Sequence, residues 1–236
     1  MNHEPEKPTP ASIVSEALSR GQNALSEFEA KRLLATYGVP VTREQLAHDA
    51  GQAVAIARQM GGPVALKACG AGVLHKTEAG LVRLNLATDA QVAKAHEELV
   101  AATGSRLDGI LVQEMVAGFR EVVAGMVRDA QFGPCVMLGY GGVFTEALDD
   151  AVMRMAPVNE TDVAQMIEEL RCKAIFGPWR GQAPAEITAL TAVLTGLSRI
   201  GLEEGHVAEI DVNPLIITAS GSIVAVDALV VLQKGN

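Results

Sequence analysis

Aromatic residues are scarce in this chain: one Trp, two Tyr and five Phe, or 3% of 236 residues. That argues against a platform that stacks unpaired bases on rings. There is also no cluster of Lys and Arg, and the net charge is −9. Such a surface repels a phosphate backbone, so nucleic acid is not an expected partner. Any phosphate bound here must be held locally, by a metal, a lysine or backbone N–H groups. The three cysteines, Cys69, Cys135 and Cys172, lie far apart and form no Cys-x-x-Cys or Cys/His pattern. Neither a zinc site nor a disulfide framework is indicated, and reduced thiols in the cytoplasm are expected. No apolar run approaches the ~18 residues of a membrane span, so no membrane partner is expected.

What is present is an aliphatic protein of 49% hydrophobic and 20% charged residues. Its length suits one large domain or two lobes with their own cores. The first ten residues are polar and Pro-rich, unlike a signal peptide; with the stretch to residue 23 they are taken as a disordered leader and N-terminal segment. Capping boxes at Ser26/Glu29, Asp49/Gln52 and Thr88/Gln91 each open a helix. Glu27 and Lys31 form an i,i+4 pair on the first of them. Residues 63–68 and 81–86 read as strands, as do 109–115, 120–128, 135–139 and 152–155; residues 161–170 and 184–200 read as helices. The pattern predicts an α+β protein: a small αβ lobe over 24–107 and a larger antiparallel lobe with helices over 108–236.

Near the C-terminus the chain reads Glu209-Ile-Asp-Val-Asn-Pro214, and after a Ser-Gly-Ser turn Ile223-Val-Ala-Val-Asp227. Asp211, Asn213 and Asp227 are flanked by apolar residues, where acids seldom sit without a partner. A hairpin through 219–222 brings Asp227 back towards Asn213. Two carboxylates and an amide oxygen suit a hard cation such as Mg²⁺, and Mg²⁺ usually accompanies phosphate; the plainer alternative is a strand end with acids in water.

Lys67 sits inside an apolar strand, where a lysine must snorkel or meet an anion. It is either a cation for a nucleotide phosphate or an edge-strand lysine facing water. The following loop, 69–80, is rich in Gly and Ala and contains His75, a candidate nucleophile or proton carrier. It is not a Gly-x-x-x-x-Gly-Lys-Ser/Thr loop. Residues 111–116 precede a turn and a strand carrying Glu121, an arrangement that can present backbone groups to a flat ligand edge and a carboxylate to ribose. Gly139-Tyr-Gly-Gly142, followed by Glu146, reads as a phosphate-covering loop or as an ordinary Gly-rich turn.

The order of these pieces resembles the ATP-grasp β subunits of NDP-forming acyl-CoA synthetases, including ADP-forming acetyl-CoA synthetases and, more distantly, succinyl-CoA synthetase. The likeness runs from Glu27-Phe-Glu-Ala-Lys-Arg-Leu-Leu-Ala-Thr-Tyr-Gly-Val-Pro through His75-Lys-Thr-Glu, Leu-Val-Gln-Glu-Met-Val and Phe132-Gly-Pro to Asp-Val-Asn-Pro and Asp227. The resemblance implies an ATP-grasp fold that binds ATP or ADP with Mg²⁺. It implies Lys67 on nucleotide phosphates, Gln113, Glu114 and Val116 at the adenine hinge, largely through backbone groups, and Glu121 at the ribose. Gly141 and Gly142 would cover phosphate, Asp211, Asn213 and Asp227 would bind metal, and Arg180 and His75 would join Lys67 as catalytic residues. In that scheme a CoA-binding α subunit carries a phosphohistidine, passes its phosphoryl group to His75, and ADP receives it. The protein would then act as a hetero-oligomer in the reaction of acid, CoA and ATP to acyl-CoA, ADP and phosphate.

The loop departs from its relatives: it lacks their Ser-Pro-Asp lead and carries Leu81 where a second Gly is usual. That departure motivates an alternative, a diverged ATP-grasp protein that binds nucleotide without chemistry. A stand-alone carboxylate–amine ligase is disfavoured by His75-Lys-Thr-Glu and by the missing substrate domain.

Overall fold

The computed structural model describes residues 9–70, 80–103, 107–142 and 150–233. Two antiparallel sheets, each with helices on one face, make up the fold. The small sheet has the order β1 (Glu44–Ala47), β4 (Gly109–Glu114), β2 (Val64–Cys69), β3 (Val82–Leu86). Its helices are α3 (Ala50–Met60) and α4 (Asp89–Thr103). Both start as their capping residues predict: the Asp49 side chain accepts from Gln52 N, and Thr88 and Gln91 exchange side-chain and backbone bonds. Ala53, Ile56, Leu66, Ala68, Val92, Leu99, Ile110 and Val112 form the core between these helices and the sheet.

The large sheet has the order β10 (Ala228–Leu232), β8 (Val207–Ile217), β5 (Arg120–Asp129), β6 (Gly133–Tyr140), β7 (Ala151–Met155), and β9 (Ile223–Ala225) pairs with the far end of β8. Helices α5 (Glu160–Glu169) and α6 (Ile187–Glu203) follow β7, separated by a 3-10 turn at Lys173–Phe176. Strand alternation decides which face is covered. Val122, Ala124, Met126, Val136, Leu138, Ile210 and Val212 enter the core with Leu190, Leu194 and Leu197 of α6. Glu121, Asp211 and their neighbours one residue out of phase therefore lie on the opposite face. Among the described residues no helix is long and apolar enough to cross a membrane.

The expected lobe boundaries move in two places. Strand β4 pairs with β2 and β1 along its whole length, so the small lobe ends at 114, not 107. Helix α2 (Glu27–Thr36), expected to open the small lobe, buries Ala30, Leu33 and Leu34 in the larger core. The segment grouped with the leader also contains α1 (Pro10–Ser19), which places Ile13, Val14 and Ala17 in that core. Its start has a local cause: Thr9 accepts from Ser12 N as N-cap, and Pro10 occupies the first helical position, where its missing N–H costs nothing. Residues 1–8 lie outside the described residues.

Candidate functional site

The two sheets meet at a group of buried charges. On β2, Leu66 and Ala68 enter the small core, so Lys67 points the other way, towards the large lobe. It is only 4% exposed, which excludes the water-facing alternative. Its Nζ donates to Glu27 Oε1 at 2.7 Å and to the Val226 carbonyl at 3.2 Å. Asp227 Oδ2 lies 3.6 Å away. Burial pulls the Lys67 ammonium down, but Glu27 and Asp227 outweigh it, and its pKa is raised.

Glu27 serves a second lysine. Lys31 Nζ lies 2.9 Å from the same Oε1. It also donates to Gln113 Oε1 at 2.8 Å, Val226 O at 3.1 Å and Thr42 Oγ1 at 3.2 Å, and it pairs with Glu44. The i,i+4 pair read from the sequence is thus a fully enclosed one. Burial raises Glu44 to about 7, against the pull of Lys31. One network therefore joins α2, β1, β2, β4 and the link from β9 to β10. Sequence reasoning missed the role of Lys31 and Glu44. The one available signal was the placement of Lys31 between Ala30 and Leu33 on the apolar stripe.

Gln113 is committed to the lobe junction through its side chain. It is 2% exposed, and its amide oxygen is engaged by Lys31, so its side chain braces the end of β4 from behind. The rest of the hinge is differently placed. The Glu114 N–H goes to Arg43 O and the Met115 N–H to Pro63 O, while Arg43 Nε binds the Glu114 carboxylate at 2.6 Å. The Val116 N–H makes no backbone hydrogen bond among the described residues.

Across the cleft, the expected hairpin forms: Leu215 faces Ala225 and Ile217 faces Ile223. The β5–β8 register shifts between Val122 and Ala124, because Asn213 and Pro214 together stand opposite the single residue Val123, a one-residue bulge of a kind common beside active sites. Beyond it, Asn213 N donates to the Asp227 carbonyl at 3.2 Å, and Asp211 lies opposite Leu229 on β10. Asp211, Asn213 and Asp227 are thereby brought together. Burial, then Glu209 and Asp227, push the Asp211 carboxyl up, the response of an acid crowded by like charge. Among the described residues no group of three or more His, Cys, Asp or Glu could cage a metal. Two carboxylates and an amide fit a cation that takes its other ligands from phosphate and water.

Glu121 and the glycines at the end of β6 also converge. Gly141 N donates to Glu121 O at 3.0 Å. A Cβ on Gly141 would meet the backbone of Glu121 and Val122 at 3.0 Å, and one on Gly142 (φ +84°) would come within 3.3 Å of the Glu121 carboxylate. Only glycine permits this approach.

Arg180 is not joined to this group by any described contact. It occupies an exposed turn at φ +46°, with its guanidinium 5.8 Å from the Trp179 ring centroid. The turn is pinned from below by buried Arg120, whose guanidinium donates to the carbonyls of Ile175, Gly177, Ala183 and Thr218 at 2.8–3.3 Å. Nothing in the local sequence signals Arg120. His75 and Glu146 lie outside the described residues.

Lys67 of the small sheet and Asp227 of the large one thus face each other, with Asp211 and Asn213 beside Asp227. The model of the ATP-grasp domain matches residues 16–232. The chain belongs to the ATP-grasp family. The β subunit of acetate–CoA ligase (ADP-forming) II from Pyrococcus furiosus is 35% identical over 228 residues, covering 94% of this ATP-grasp chain and 97% of that subunit. Acetate–CoA ligase (ADP-forming) I of Archaeoglobus fulgidus is 35% identical over 227 residues, 94% of this chain but 33% of that protein. Among solved structures, the dinucleotide-forming acetyl-coenzyme A synthetase 1 of Ca. Korarchaeum cryptofilum superposes with a TM-score of 0.85 at 37% identity, covering 95% of this chain and 100% of the other. That structure is a complex with coenzyme A and Mg-AMPPCP, its phosphohistidine segment pointing towards the nucleotide-binding site. The ATP-grasp fold and the acyl-CoA ligase relationship expected from the motifs are both borne out.

Proposed function

We propose that the chain is the nucleotide-binding β subunit of an ADP-forming acyl-CoA synthetase. The reading is carried by one observation, the approach of Lys67 on the small lobe to Asp227 on the large lobe at 3.6 Å. It is supported by relatives named as β subunits that match over nearly their whole length. ATP or ADP lies in the cleft with its adenine edge against the backbone of 114–116, where the Val116 N–H is a ready donor. Glu121 accepts from the ribose hydroxyls. Gly141 and Gly142 cover the phosphates with backbone N–H groups, as Cβ-free turns can.

Asp211, Asn213 and Asp227 hold Mg²⁺. When bound, the ion neutralises phosphate charge and fixes the phosphates for in-line transfer. Lys67 supplies the matching positive charge from the other lobe. Its ammonium is already ordered by Glu27 and Val226, so little reorganisation accompanies substrate binding. His75 carries the phosphoryl group between a phosphohistidine of the CoA-binding partner and ADP. In the last transfer the N–P bond of His75 breaks as an oxygen of the terminal ADP phosphate bonds to phosphorus, giving ATP and free histidine. Two lobes around the nucleotide keep water from intercepting the group. Arg180, on its pinned turn, offers a further cation to the incoming phosphoryl group. Two of the three cysteines, Cys69 and Cys135, are buried and all three are free thiols, in keeping with a reducing cytoplasmic setting.

The test is calorimetric titration of the purified chain with ADP and ATP in Mg²⁺. Saturable binding with either is expected, and no heat with both would remove the proposal. Supplied with the α chain in phosphohistidine form, the protein should acquire acid-labile phosphate, and His75→Ala should acquire none. Nucleotide binding without any such transfer would favour the non-catalytic alternative.

A further inference from the structure

The shared carboxylate of Glu27 has a consequence for metal loading. Glu27, Lys31 and Lys67 are all nearly inaccessible to solvent, at 3%, 1% and 4% exposure. The Lys67 ammonium is hydrogen-bonded to Glu27 Oε1 at 2.7 Å, whereas Asp227 Oδ2, at 3.6 Å, is beyond hydrogen-bond distance. Asp227 belongs to the other lobe, and its side chain is 38% exposed. Two carboxylates thus flank one ammonium, and the nearer one, on α2, is buried while the other is partly exposed.

We propose that Glu27 is a positioning residue that sets how strongly Lys67 competes with a divalent cation for Asp227. The inference rests on the reading of Asp227 as a metal ligand. A lysine ammonium is a point charge on a flexible stem with three rotatable donors. With Glu27 ionised, its shortest bond holds it on the α2 side. With that charge removed, attraction to Asp227 increases its hold, and a shift of less than ~1 Å brings the pair to contact length. Contact between them raises the cation concentration needed to occupy the site, because lysine and metal claim the same oxygen. Lys31, held in place by Glu44 and Gln113, adds to this drift, because its ammonium repels that of Lys67 once the Glu27 charge between them is lost.

The experiment is calorimetry of the full chain with ADP at a series of fixed Mg²⁺ concentrations, for wild type, Glu27→Gln and Glu27→Asp. For Glu27→Gln the Mg²⁺ concentration giving half-maximal ADP affinity should rise about tenfold, equivalent to 1.4 kcal/mol. Its ADP affinity at saturating Mg²⁺ should stay near wild type. Glu27→Asp keeps the charge but withdraws it by one methylene, and should give a smaller rise in the same direction. A folded Glu27→Gln protein with an unchanged Mg²⁺ midpoint overturns the proposal, and so does affinity lost equally at every Mg²⁺ level, the mark of a merely structural residue. If Glu27→Gln does not fold, the Glu27→Asp midpoint decides in the same way. Wild-type protein that binds no nucleotide with Mg²⁺ would instead remove the reading of the cleft itself, and this inference with it.

Discussion

Lys31 concentrates the energetics of the junction in a single side chain. Removing one partner of a buried ion pair leaves the other charge uncompensated, at a cost of about 3–5 kcal/mol. Lys31→Met should therefore destabilise the protein by about that much in urea titrations, whereas Thr42→Val, which removes one neutral acceptor, should cost only about 1 kcal/mol. A similar effect in both would show that Lys31 is not bearing the charge balance. Glu44 adds a pH dependence. Its folded pKa of about 7 lies above the ordinary 4.5. The folded state therefore holds a proton there that the unfolded chain has released over much of the interval between those values. Stability must then fall as pH rises from about 4.5 to 7, with no further loss from this group above that range. Glu44→Gln should lack this component, so wild type should lose ground to it between pH 5 and 8, by at most about 3 kcal/mol. Parallel stability curves for the two proteins would refute the assignment.

At the scale of elements, α1 tests how much local signals convey. A leader contributes nothing to a core, yet Ile13 is 4% and Val14 2% exposed. Ile13→Ala should cost about 2–4 kcal/mol by cavity formation, detectable as a lowered urea midpoint with unchanged slope; no change would mean the helix is only loosely attached. The sequence contained the N-cap Thr9 and Pro10, but the prolines before them read as a leader and hid the helix. Most other elements were legible because period and capping agree, as at Asp49/Gln52 and Thr88/Gln91. The small-lobe boundary was not, because β4 must pair with β1 and β2 across 40 to 70 residues of chain, which no local pattern encodes. The site divides in the same way. Asp211, Asn213 and Asp227 could be read together because a single hairpin joins them. Lys31, Glu44 and Arg120 acquire their roles only when distant segments close over them. The position of Gln113 in the hinge motif is visible in the sequence, but the engagement of its amide by Lys31 is not.

For the whole molecule, the same residues both fasten the lobes and are proposed to bind the ligand, so stability and function should pull in opposite directions at particular sites. Two segments, 37–43 and 115–119, connect the small sheet to the rest, and polar contacts at Lys31 and Lys67 close the gap between the lobes. Relative motion is the default for lobes joined in this way. A ligand that bridges them stabilises the folded state by RT ln(1 + [L]/Kd), about 2.7 kcal/mol at a hundredfold excess over Kd. Wild type should therefore show a clear rise in Tm with Mg²⁺ and ADP together and a smaller one with ADP alone. Lys67→Met removes a cross-lobe contact and the proposed phosphate cation at once, so it should lower the unliganded Tm and abolish most of the ligand-induced rise. Asp211→Asn should behave differently. In the absence of ligand, its carboxylate is crowded by burial, Glu209 and Asp227, so neutralising it should leave the unliganded Tm unchanged or higher. The additional rise due to Mg²⁺ should nevertheless disappear, because the metal loses an anionic ligand. Thermal scans of the three proteins with ADP, with Mg²⁺ and with both distinguish the cases. If Asp211→Asn retained the full Mg²⁺-dependent rise, Asp211 would be an ordinary strand acid and the metal would have to be held elsewhere.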